Sequence, residues 1–215
     1  MTFTDEAWQA AGEILGAIER HPFVTGLADG TLPEERFAYY MAQDALYLAD
    51  YARMLALAAS QAGAADEVRF WASGAANAIA VERSLHAQFV ADLSAAVKSP
   101  TCTAYTSFLA HLGSTGSYPT LVTGLLPCYW VYEHVGAELA RTSGDLGTHP
   151  YGPWIRTYGD PAFAEASEQA RAVVDRAVTG LPAAERRRAL EAFLTAARYE
   201  WMFWDAAWRR ETWPA

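Results

Sequence analysis

The sequence predicts an all-α protein, a single-domain helical bundle covering residues 1–215. Three observations lead there. Apolar residues recur at spacings of three and four through nearly every stretch between turn signals. No stretch alternates apolar and polar positions with β-branched enrichment, so no sheet is expected. Alanine, the strongest intrinsic helix former, is abundant throughout. With 52% hydrophobic residues in 215, the chain has the apolar content to offset ordering entropy and bury one core.

The elements follow in order. Thr4-Asp5-Glu6 supplies an N-cap and an acidic first turn, with Trp8, Ala11, Leu15 and Ile18 forming the apolar stripe. His21-Pro22 stops that helix, because the residue before proline avoids the helical region. Thr31-Leu32-Pro33-Glu34 reads as a capping box with proline at the start of a long helix ending near Ala62-Gly63. The next helix runs from about Asp66 to Val97 and stops at Ser99-Pro100, which opens a shorter one through Leu112. Pro119 opens another to about Arg141, with Pro127 inside it, where one backbone hydrogen bond is lost. Residues 143–153 are a loop. Asp160-Pro161 starts a helix ending at Gly180, and Leu181-Pro182 starts the last, to about Arg210. The expectation is roughly seven or more helices with any site on facing helices.

Charge and composition narrow the function classes. Sixteen Lys and Arg against 25 Asp and Glu give a net charge of −9, which argues against nucleic acid or an anionic membrane as partner. The N-terminus lacks a basic start followed by an apolar run. No stretch approaches about 20 consecutive apolar residues. A soluble cytoplasmic protein is expected. Two cysteines make neither a disulfide framework nor a zinc pair. Eight Trp and eleven Tyr suit either helix–helix contacts or a pocket for a flat polar ligand.

Four constellations could carry chemistry. Asp44, Tyr47 and Tyr51 share one helical stripe, so Asp44 is either a solvated acid or an inward carboxylate that needs a partner. Glu200, within Tyr199-Glu200-Trp201-Met202-Phe203-Trp204, lies in a segment apolar nearly all round. There it is either a structural acid bonded to a tyrosine or a proton donor with its pKa raised by desolvation. Cys102 sits in a first helical turn, where the dipole favours a thiolate, while Cys128 follows the helix-breaking Pro127. The dipole argument favours Cys102 as the nucleophile, although a free cysteine is commonly an inert buried thiol. Glu82 and His86 stand one turn apart, but no Glu-x-x-His pairs exist on other helices to complete a di-metal site. They read as a structural pair, and no metal is expected.

Taken in order, several of these segments resemble the TenA family, the thiaminase II enzymes. The resemblance rests on His21-Pro22-Phe23, Leu32-Pro33, Gln43-Asp44 with Tyr47-Leu48, and Ser99-Pro100-Thr101 with Tyr105-Thr106. It continues through Leu126-Pro127-Cys128-Tyr129-Trp130 with Tyr132, then Trp154-Ile155 with Tyr158, and Tyr199-Glu200 with Phe203-Trp204. It implies a haem-oxygenase-like fold that binds no haem, a homotetramer, and no cofactor. It further implies Cys128, rather than Cys102, as nucleophile and Glu200 as the acid–base carboxylate. Asp44 would hold the pyrimidine, and Tyr47, Tyr105, Tyr132, Tyr158 and Phe203 would form an aromatic wall. The activity implied is that of an aminopyrimidine aminohydrolase acting on an aminomethylpyrimidine or on thiamin, by cysteine addition to the ring. A non-catalytic pyrimidine-binding relative and a metal-dependent oxidase on the same scaffold are the alternatives.

Overall fold

A computed structural model describes the backbone of residues 1–89 and 96–214 and the side chains of 1–80 and 96–214. Among the described residues there are ten helices and no strand. They are α1 (Phe3–Ala10), α2 (Gly12–Glu19), α3 (Pro22–Asp29), α4 (Glu34–Gln61), α5 (Ala65–Phe89), α6 (Pro100–Thr115), α7 (Tyr118–Thr142), α8 (Gly152–Tyr158), α9 (Pro161–Val178) and α10 (Ala183–Arg209).

The N-terminal helix starts two residues earlier than its sequence suggests. Thr2, not Thr4, is the N-cap: its side chain accepts from Asp5 N, and the Asp5 carboxylate accepts from Thr2 N. Thr4 is inside the first turn, where its hydroxyl and amide both donate to Asp175 and tie α1 to α9. The single helix expected to reach His21 is broken at Ala11-Gly12 into α1 and α2, at the residue type with the poorest helical propensity after proline.

His21-Pro22 does end α2, but it also begins α3. The His21 Nδ1 accepts from Phe23 N at 3.1 Å, and Pro22 occupies a first-turn position whose missing N–H would have no helical partner anyway. Gly30, at φ 70°, closes α3 in the left-handed conformation that glycine adopts without Cβ strain. The expected capping box at Thr31 does not form. Pro33 is the N-cap of α4 and offers no side-chain bond. Residues 96–99 are non-helical, so the helix expected to reach Val97 stops short of it. The loop expected at 143–153 yields to α8 at Gly152, a short helix that local periodicity does not reveal.

The 28-residue α4 is about 42 Å long. It packs most extensively on α5 and also on α6, while α7 packs on α10 and α9. Aromatic side chains fill the centre. Tyr40 stacks on Trp204 with ring centroids 5.1 Å apart, and Tyr132 and Trp154 close around them. The approach of α8 to α7 depends on a missing side chain: a Cβ on Gly136 would lie 2.5 Å from the backbone carbon and oxygen of Tyr158. That contact delivers Tyr158 to the interior.

Candidate active site

A cavity of about 900 Å³ opens between α4, α5, α7, α8 and α9. Asp44, Cys128, Tyr132 and Tyr158 are on its wall, with Tyr51 and Tyr129 beside them. Three helices supply them. Asp44 and Tyr51 lie two turns apart on α4, Cys128 and Tyr132 one turn apart on α7, and Tyr158 ends α8.

Tyr47, Tyr105, Glu200 and Phe203 are buried against that wall rather than forming it. The Tyr47 ring stacks on Tyr51 at 5.4 Å, meets Tyr105 at 4.9 Å and touches the edge of Phe203 at 5.7 Å. Tyr105 in turn donates its hydroxyl to Glu200 Oε1 at 2.7 Å. The eight residues singled out from the sequence therefore form one cluster in two layers.

Proline chemistry shapes the sulfur's surroundings. Pro127 has no N–H to give the preceding turn of α7. Two residues before it, Leu125 accepts the Tyr51 hydroxyl on its carbonyl at 2.8 Å, adding an α4 side chain to the α7 backbone near that gap. Cys128 retains partial exposure, to the cavity.

Electrostatics sets the protons. Burial raises the Glu200 carboxyl to about 8; the Tyr105 hydrogen bond opposes the rise and the Asp44 charge adds to it. At neutral pH this side chain holds a proton inside an aromatic shell. The Cys128 thiol is also raised, first by burial and then by the charge of Glu200; the nearby Tyr47 hydroxyl opposes the shift. Tyr47 Oη makes no conventional hydrogen bond of its own. The resting pair is thus a thiol and a carboxylic acid.

Cys102 reverses the dipole argument. It does occupy the first turn of α6, but it is fully buried, its sulfur faces the Gln43 carbonyl at 3.7 Å, and burial pushes its pKa up to about 12. Desolvation outweighs the helix terminus. The side chains of Glu82 and His86 lie outside the described residues, so their expected pairing is not described. Among the described residues no three His, Cys, Asp or Glu converge as a metal-ligand group, and no helix is long and apolar enough to cross a membrane. Tyr129, Phe70 and Phe163 also line the cavity, and the sequence reading assigned them nothing. Tyr129 adjoins the cysteine in sequence, but Phe70 and Phe163 carry no local signal.

Comparison with known proteins identifies the relatives of the chain as a whole. The model of the TENA/THI-4/PQQC family matches residues 8–210. The chain is 38% identical over 207 residues to the thiamine biosynthesis multifunctional protein ThiED of Corynebacterium glutamicum. That alignment covers 96% of this chain but only 27% of ThiED, so the chain spans about a quarter of that relative's length. It is 32% identical to the aminopyrimidine aminohydrolase of Halalkalibacterium halodurans, covering 99% of this chain and 98% of that protein. A TenA homologue from P. horikoshii OT3 superposes with a TM-score of 0.86 at 26% identity, over 97% of this chain and 99% of that one. A haem-oxygenase-like domain from Shewanella denitrificans OS217 superposes at 0.76 with 14% identity, over 98% and 93% of the two chains, a likeness of fold alone. The chain is a haem-oxygenase-like helical bundle and belongs to the TENA/THI-4/PQQC family.

Proposed function

We propose that this protein is an aminopyrimidine aminohydrolase. It would replace the substituent on the 5-methylene of a 4-amino-2-methylpyrimidine with hydroxyl, taking an aminomethylpyrimidine or thiamin as substrate. The observation that carries the reading is a cavity-facing thiol, Cys128, in the same cluster as a carboxyl, Glu200, that keeps its proton near neutral pH. Full-length relatives named aminopyrimidine aminohydrolase support it.

In this mechanism Glu200 comes forward from the layer behind the wall to protonate a ring nitrogen and make the adjacent carbon electrophilic. The Cys128 sulfur bonds to that carbon, and the thiol proton replenishes the carboxylate. The resulting enamine expels the methylene substituent, with the C–N electron pair leaving on nitrogen. Water adds at the methylene, its spare proton going to the departing amine or, where thiazole leaves, to solvent; the C–S bond then breaks and the ring N–H proton returns to the sulfur. Atoms balance: one water is consumed, and hydroxymethylpyrimidine and a free amine or thiazole result. Covalent addition divides a difficult displacement into easier steps. Asp44 accepts from the exocyclic amine, while Tyr132 and Tyr158 hold the ring plane. Tyr47, Tyr105 and Phe203 support that wall from behind.

The same reading takes the protein as a cytoplasmic homotetramer of single-domain subunits, independent of nucleic acid, membrane or any cofactor. Its test is release of hydroxymethylpyrimidine from aminomethylpyrimidine or thiamin by the purified protein, followed by chromatography. Binding of the pyrimidine with no release, at any pH from acidic to alkaline, would instead identify a binding protein.

A further inference from the structure

Among the described residues, two hydrogen bonds join α6 to α10 and the segment that follows it. The Tyr105 hydroxyl donates to Glu200 Oε1 at 2.7 Å. Four residues earlier on α6, the Thr101 N–H donates to Glu211 Oε2 at 2.8 Å. Residues four apart lie one turn from each other on the same face of a helix. One face of α6 is therefore held twice, by the acid inside α10 and by a carboxylate just past its end.

The second hold follows from the way α10 ends. Arg210 closes the helix at φ 48°, a left-handed conformation uncommon for a residue other than glycine. Glu211 N then donates to Ala206 O at 2.9 Å, and the chain turns back over α4 and α6. Tyr39 donates its hydroxyl to the Glu211 carbonyl, and Trp213 Nε1 donates to the Lys98 carbonyl at 2.8 Å. The Glu211 carboxylate completes the first turn of α6. Pro100 has no N–H to satisfy, the Ser99 hydroxyl accepts from Cys102 N, and the Ser99 carbonyl accepts from Thr103 N. Thr101 N is left for Glu211, whose charge also suits the positive end of the helix.

The other contacts of Tyr105 do not fix its hydroxyl lengthwise. Its ring stacks on Tyr199 at 5.1 Å and meets Tyr47 at 4.9 Å. Ring pairs persist over centroid separations of roughly 4.5–7 Å, so both survive a small slide of α6. An O–H···O bond does not: lengthening by about 0.5 Å carries it beyond the roughly 2.5–3.0 Å range of such bonds. We propose that Glu211 is a positioning residue for the acid: its carboxylate fixes the axial place of α6 and so keeps the Tyr105 hydroxyl on Glu200. The inference rests on the acid role given to Glu200 above and adds a residue that tunes it from outside the cavity. Besides Tyr105, the titratable groups around Glu200 are Asp44, Tyr47, Cys128, Tyr132 and Tyr158. Glu211 itself has Arg209 at 3.8 Å. Removing a negative charge acting through space would lower the Glu200 pKa, whereas losing the Tyr105 bond raises it. The two routes differ in sign.

The test titrates full-length protein carrying carbon-13-labelled glutamate by NMR, with the Glu200 signal identified by its loss in Glu200→Gln. Glu211→Ala removes the acceptor, Glu211→Asp keeps the charge but draws it back by one methylene, and Glu211→Gln keeps the reach without the charge. Glu200 is expected to titrate at least about half a pH unit higher in the alanine and aspartate proteins. That is part of the about one to two pH units that a hydrogen bond to a charged group is worth. The glutamine protein should titrate with the natural one. In a Tyr105→Phe background, Glu211→Ala should move Glu200 no further, because the bond it protects is already gone. An unmoved or lowered Glu200 in the alanine protein would overturn the positioning role. So would an equal rise in the glutamine protein, or a further rise on top of Tyr105→Phe. Should the alanine protein fail to fold, the aspartate protein against the glutamine one decides. Turnover is measured separately. A raised Glu200 with no turnover in the natural protein refutes the enzyme and keeps the positioning role; turnover with Glu200 unmoved does the reverse.

Discussion

The Tyr105 hydroxyl donates to Glu200 Oε1 across 2.7 Å, joining α6 to α10 behind the cavity wall. This bond stabilises the charged form of the carboxyl and restrains a pKa that burial raises to about 8. Removing the donor with Tyr105→Phe therefore raises the pKa further. In the proposed mechanism Glu200 must be protonated, so activity falls as pH passes through its pKa. The alkaline limb of the pH–rate profile is expected near 8 in the natural protein and at higher pH in Tyr105→Phe. A limb that stays put or moves down would break the link between this bond and the acid.

The same carboxyl makes folding depend on pH. An unfolded glutamate loses its proton near 4.5, whereas the folded one keeps it to about 8. Between those values the folded state binds more protons than the unfolded state, so stability falls as pH rises through the window and levels off above it. Glu200→Gln removes this titration. Urea unfolding should show a smaller loss of stability from acidic to alkaline pH in the glutamine protein. Its turnover should fall by about 10²–10⁴-fold, the range for a lost general acid.

The two thiols separate cleanly. Cys128→Ser should abolish turnover and leave the helical circular dichroism intact. Cys102→Ser should keep turnover within a few-fold, and its hydroxyl can still donate to the Gln43 carbonyl that the sulfur now faces. The stability change there should be about 1 kcal/mol or less, the net scale of one hydrogen bond. Mass spectrometry after native alkylation should find Cys128 modified slowly and Cys102 protected, because one thiol meets the cavity and the other is enclosed. Equal activity of the two serine proteins would remove Cys128 from the chemistry.

Gly136→Ala tests the support for Tyr158. The new methyl would meet backbone rather than a flexible side-chain end, at 2.5 Å. Either α8 or α7 must shift, at a cost of about 1–3 kcal/mol. A lower thermal midpoint and weaker pyrimidine binding should appear together, since the helix displaced carries a wall residue. Unchanged stability would show that α8 accommodates the methyl freely.

Much of this architecture is legible in the chain itself. Proline and glycine punctuation located most helix boundaries, and the three-and-four spacing brought Asp44, Tyr47 and Tyr51 to one stripe. The apolar surroundings of Glu200 allowed either a tyrosine-bonded structural acid or an acid with a raised pKa, and the structure shows both the Tyr105 bond and the desolvation that raises it. The divided first helix, the short α3 and α8, and the unused Thr31 box were not visible. Those outcomes depend on what packs against them: Asp175 recruits Thr4 from 171 residues away, and Tyr158 fits only because α7 presents a glycine.

The choice between the cysteines marks the limit most clearly. Local sequence places Cys102 at a helix terminus and Cys128 beside a proline, and the terminus is the stronger local argument. Only the tertiary structure closes α4 over Cys102 and opens a cavity beside Cys128. Periodicity specifies which face of a helix is apolar, because that depends on residues one turn apart. Whether a group on that face meets another helix or an empty chamber depends on residues distant in sequence, and desolvation there decides its proton.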